Sequence, residues 1–128
     1  MKTNASRCLL LILSSLAVAT CDSSPLVAPI ASTISIFAES ITLRPGESTT
    51  VEALVVEEAG TLVHDGTVVT FFATLGSVSP EEAETSEGIA RATFTAGSAA
   101  GTARVVASSG GAVSDEDQPN EIEIVIAN

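Results

Sequence analysis

Few side chains in this 128-residue sequence could do chemistry. The one histidine, His64, stands beside Asp65 in the turn signal His64-Asp65-Gly66. A nucleophilic triad would need that imidazole oriented by a partner converging from elsewhere in the chain, and a solvated turn residue is the plainer reading. Glu81, Glu82, Glu84 and Glu87 crowd into one short stretch. Two carboxylates at a suitable separation can act as acid and base in glycoside hydrolysis, but a chain with 16 Asp and Glu contains such pairs by chance. No Trp or Tyr exists to stack on a sugar, which weakens a carbohydrate role, so the plainer reading is a solvated acidic loop. The stretch SDEDQPNE, residues 114–121, gathers Asp115, Asp117 and Asn120 as hard oxygen donors of the kind calcium takes. Its spacing lacks the loop glycine and distal bidentate glutamate of an EF-hand, which makes the three weak calcium candidates. Cys8 and Cys21 are the only cysteines, and no Cys/His cluster suits zinc or iron. The chain reads as a non-enzyme without a cofactor; a small hydrolase built on Glu81, Glu82 and Glu84 is the least supported alternative.

The first residues carry a different message. Lys2 and Arg7 precede an apolar run, residues 8–18, too short to cross a bilayer as a helix but of the length of a secretory signal core. Export is expected. Ala17-Val18-Ala19 offers a small-residue cleavage pattern, while Val18-Ala19-Thr20-Cys21 resembles the lipobox of bacterial lipoproteins, with Thr20 where that group prefers Gly or Ala and Val18 where it prefers Leu. The resemblance implies a signal peptide over residues 1–20 and acylation of Cys21 as the mature N-terminus, in the inner or outer membrane. Cysteine arithmetic agrees: Cys8 leaves with the signal, and Cys21 would otherwise be a lone reactive thiol in an oxidising compartment. Several acyl chains hold firmly, since each buried methylene contributes about 0.8 kcal/mol. Ordinary cleavage to a soluble secreted domain is the alternative. Residues 21–32 are then a lipidated cysteine and a short tether, because Pro25 and Pro29 obstruct helix and sheet alike. At about 3.1 Å per residue the tether reaches roughly 30 Å.

The formal net charge is −11, and beyond residue 20 only Arg44, Arg91 and Arg104 oppose the acids. Such a surface repels nucleic acid, which is excluded as a partner. The chain is nevertheless 45% hydrophobic, and its apolar residues are patterned, so a folded core is expected rather than disorder.

That pattern has period two. Ile34 and Ile36, Ile41 and Leu43, Val51, Ala53 and Val55, then Val69, Phe71 and Ala73 alternate with mostly polar neighbours. Ala90, Ala92 and Phe94 continue the series, followed by Ala103, Val105 and Ala107, and finally Ile122, Ile124 and Ile126. Turn signals separate them at Pro45-Gly46, Asp65-Gly66, Glu87-Gly88 and Gly110-Gly111. About seven short strands, each with one apolar face, predict an all-β sandwich over residues 33–128 as one domain. Its alanines let the sheets approach, and Phe71 and Phe94 fill the wider gaps.

Taken in order, LRPGESTTVEALVVEEAGTLV (43–63), VHDGTVVTFFATLGSVSP (63–80) and AAGTARVVAS (99–108) resemble the bacterial immunoglobulin-like domains of the invasin and intimin group. The resemblance extends over residues 33–127. Glu57 stands where Asp is usual, Leu62 where Pro is usual, and residues 114–120 are an acidic insert. It implies an immunoglobulin-like β-sandwich without a disulfide and a role in protein–protein contact or adhesion at the cell envelope. The implied partner is a protein, met through an exposed sheet edge or a loop face.

Overall fold

Among the described residues, alternating β-branched and small side chains, interrupted mostly at glycine-containing turns, fold into nine strands. The computed structural model describes residues 24–117 and 119–128. The expected signal peptide and Cys21 lie outside the described residues. In chain order the strands are β1 (Thr33–Ala38), β2 (Thr42–Leu43), β3 (Ser48–Val56), β4 (Val68–Ala73), β5 (Ser77–Ser79), β6 (Glu82–Glu84), β7 (Ile89–Thr95), β8 (Gly101–Ser108) and β9 (Glu121–Ile126). One sheet runs β1-β3-β7-β5 and the other β2-β9-β8-β4-β6. All pairings are antiparallel except β2 with β9.

Register sets the core. Pairing Val51 with Ala92 and Ala53 with Ala90 points all four side chains inward, because in a pleated sheet directly opposed residues share a face. In the second sheet Phe71 opposes Ala107, while Val105 opposes Ile122 and Ala103 opposes Ile124. The inner faces merge in one apolar cluster in which Phe94, fully buried, is the largest of the completely enclosed side chains.

Several expectations need correction. There are nine strands rather than about seven; the two extra ones, β5 and β6, are only three residues long and carry no alternation that a sequence pattern could register. Glu82 and Glu84 therefore stand on an edge strand, not in a loop. Ile41 is 57% exposed although Leu43, two residues on, is buried, since β2 begins only at Thr42. The apolar rows of β7 and β8 belong to opposite sheets and face each other across the core.

Part of the stretch read as a short tether is hydrogen-bonded to the domain. The Val68 amide donates to the Leu26 carbonyl (2.7 Å), and Ala28, buried, donates to Ser109 Oγ (3.1 Å). Ser109 Oγ in turn donates to the Val68 carbonyl (2.6 Å), and the Gly111 amide reaches the Ala28 carbonyl (3.0 Å). A Cβ at Gly110 would come within 2.5 Å of that carbonyl, so the close approach requires glycine.

Candidate functional site

The residues singled out for chemistry are mostly used to hold the frame together. His64 is exposed, and its backbone carbonyl does the bonding: it accepts from Thr67 Oγ1 (2.6 Å) and Thr85 Oγ1 (2.9 Å). Both threonines are buried, so the carbonyl satisfies hydroxyls that would otherwise be enclosed without partners. Asp65 Oδ1 accepts from the Glu87 amide (2.8 Å). That bond steadies a two-residue reversal in which Ser86 and Ile89 exchange backbone hydrogen bonds and Glu87 and Gly88 both take positive φ, 52° and 78°. This is the backbone of a type I′ turn. His64 and Asp65 thus serve a turn and do not form a dyad aimed at a cleft.

The acidic insert has a structural occupation as well. The Ile34 amide donates to the Val113 carbonyl (3.0 Å), the Ile36 amide to the Pro119 carbonyl (3.2 Å), and the Val113 amide to the Ser32 carbonyl (2.8 Å). Val113 and Pro119 therefore lie along the outer edge of β1, where unpaired backbone would otherwise be open to association. Asp115 Oδ1 accepts from the Asp117 amide (3.3 Å), while Asn120 Nδ2 donates to the Ala107 carbonyl (3.1 Å). Asp115 and Asp117 thus share a local turn, whereas the Asn120 amide is turned to β8. Among the described residues no group of three or more His, Cys, Asp or Glu is placed to hold a metal ion.

The outer faces carry the charge. Arg91 Nε lies 2.7 Å from Glu52 Oε1, on the cross-strand pair that joins β7 and β3. Arg104 Nε lies 3.3 Å from Glu121 Oε1 and 3.6 Å from Glu123 Oε1. These pairs are half-exposed, and pairs of this kind contribute about 0–1 kcal/mol each. Their effect on function is to neutralise Arg91 and Arg104, leaving the remaining carboxylates to set the field.

The feature that the sequence pattern missed lies where the two sheets part. β6 covers β4 only opposite Val68, Val69 and Thr70, while β4 continues to Ala73. β5 ends the other sheet, paired on one side only, with β7. Between them opens a cleft of about 300 Å³ lined by Phe71, Phe72, Ala73, Gly76, Val78 and Glu81, with Thr70 and Ser77 at its margin. Phe72 is 63% exposed on the outer face of β4. Its one legible signal was a phenyl group at an outward position of an alternating strand.

No known protein-family model matches this chain, and no curated protein matches it. Solved structures do. The D00-D0 domain of intimin superposes with a TM-score of 0.64 at 18% identity, over 80% of this chain and 50% of that one. The Yersinia pseudotuberculosis adhesin InvE gives 0.59 at 20%, over 73% and 26%. A C-terminal 282-residue fragment of intimin, solved in complex with the intimin-binding domain of the translocated intimin receptor, gives 0.55 at 24%, over 70% and 31%. The chain thus spans half or less of the length of these structures. At such identities the likeness is one of fold, and the fold is the immunoglobulin-like sandwich expected from the sequence.

Proposed function

We propose that this protein is a non-enzymatic contact module of the bacterial cell envelope, an adhesin-type immunoglobulin-like domain that binds another protein and is held at a membrane by acylated Cys21. The observation that carries the reading is the shared fold with intimin and InvE domains. The surface is consistent with it: Asp65, Asp115 and Asn120, among the residues singled out for chemistry, spend their side chains on backbone hydrogen bonds in turns and edge cover. One intimin fragment of this fold was solved with a receptor domain, and a protein partner is what we propose here. Anchoring rests on the lipobox-like residues 18–21 and on the odd cysteine count after signal removal.

Two measurements test the reading. Mass spectrometry of the mature N-terminus should find a diacylated or triacylated Cys21; an unmodified terminus would make this a soluble secreted domain. Crosslinking in intact cells, followed by identification of adducts, should recover a discrete envelope or extracellular protein. Recovery of none under conditions that capture other envelope complexes would remove the contact role, and protease accessibility of the domain on intact cells would tell an outward from a periplasmic orientation.

A further inference from the structure

The cleft between β4 and β5 combines three properties. The first is open backbone. The Phe71 amide donates toward β6, to the Glu81 carbonyl (2.7 Å), whereas the Thr74 amide donates the other way, to the Arg104 carbonyl beyond the end of β4 (3.0 Å). Because successive peptide groups of a strand point to opposite sides, Ala73 presents its N–H and C=O on the Phe71 side, past the point where β6 has ended. The second is an apolar floor, with buried Phe71 and Val78 below and exposed Phe72 at the rim. The third is unopposed negative charge: Glu81 lines the cleft, Glu82 and Glu84 stand exposed on the adjoining edge strand, and the nearest arginine on the same face, Arg104, is already held by Glu121 and Glu123.

We infer that this cleft is a docking groove for an extended, cationic segment of a partner protein, which adds as a strand beside Ala73, inserts an apolar side chain against Phe72, and sets a Lys or Arg against Glu81. Backbone pairing supplies affinity in this mode, and alternate side chains supply selectivity. The charge selects against a second copy of the chain, since two surfaces of formal charge −11 repel. It equally guards the edge when no partner is present, as charged edge strands do. The inference rests on the reading of the protein as a contact module and names the surface that module uses.

The test is a fluorescence-anisotropy titration of the purified full chain with a labelled short peptide alternating Val and Lys, beside its Val and Glu counterpart, with amide chemical shifts mapped in parallel. The cationic peptide should bind and shift Ala73 and Ser77. Phe72→Ser and Glu81→Gln, each confirmed as folded by thermal melting, should weaken it roughly tenfold or more, as loss of an interface anchor does. Glu58→Gln, away from the cleft, should leave binding within about twofold, within the range of a peripheral contact. Equal binding of the two peptides, shifts confined to other faces, indifference to both cleft variants, or absence of binding overturns the groove. So does a Phe72-dependent dimer in sedimentation. If the crosslinked partner is still captured by Phe72→Ser and Glu81→Gln chains, the groove fails while the contact role stands; if no partner is captured by any form, the contact role itself fails.

Discussion

Replacing Phe94 by alanine tests the sandwich where it is most tightly filled. The ring is wholly enclosed, so its burial contributes about 1.5–3 kcal/mol of transfer free energy. The surrounding strands cannot close over the vacated space: β7 is fixed on one side to β3 and on the other to β5, and the turn residue Gly76 already lies against the ring. Adding the cavity contribution, Phe94→Ala should cost about 3–5 kcal/mol. A small domain has about 5–15 kcal/mol in total, so the variant loses a large share, seen as a fall of roughly 12–40 °C in the melting midpoint. Phe72→Ala is the internal standard. It removes the same atoms from a side chain 63% exposed and should change stability by no more than about 0.5 kcal/mol. Both are read by urea and thermal unfolding followed by circular dichroism. Equal effects from the two substitutions, or a larger effect from Phe72→Ala, would show that the inward and outward faces have been assigned wrongly.

Three further outcomes follow from single sites. Gly76→Ala forces a side chain onto a residue at φ +72°, with its Cβ 2.6 Å from the Thr95 carbonyl oxygen; a loss of ~2 kcal/mol or more is expected by chemical denaturation. Ser109→Ala removes the hydroxyl shared by the Ala28 amide and the Val68 carbonyl, which should cost roughly 1–3 kcal/mol and speed hydrogen exchange at Ala28 by mass spectrometry; unchanged exchange there would discount the docking of residues 26–32. Ser32→Ala should be neutral or stabilise by up to about 1 kcal/mol, because its buried Oγ has no hydrogen-bond partner among the described residues; a clear drop in melting midpoint would mean that the hydroxyl is satisfied.

The long strands were legible because each alternates over enough residues for the period to stand out. Val51, Ala53 and Val55, or Ala103, Val105 and Ala107, announce an inner face on their own, and each is buried as read. Strands of two or three residues have no period. β5 and β6 become strands only because β7 and β4 lie alongside to receive them, and that proximity is tertiary. For the same reason the cleft was invisible: it exists where β6 stops short of the end of β4. The assignment of β7 and β8 to opposite sheets depends on the path of residues 96–100 across the sandwich, which no local pattern records. Side-chain hydrogen bonds were equally beyond a local pattern: Asp65 and Asp115 accept from backbone amides, and Asn120 donates to the Ala107 carbonyl.

The docking of residues 26–32 bears on how the fold would take tension. A pull applied ahead of Ser24 does not fall first on β1. It meets the Leu26–Val68 and Ala28–Ser109 bonds, and through Ser109 Oγ it passes to the Val68 carbonyl at the start of β4, in the opposite sheet. The load is thereby divided between the two layers before it can peel either of them, and a tug strong enough to undo these few bonds would lengthen the leash by a handful of residues while leaving the sandwich intact.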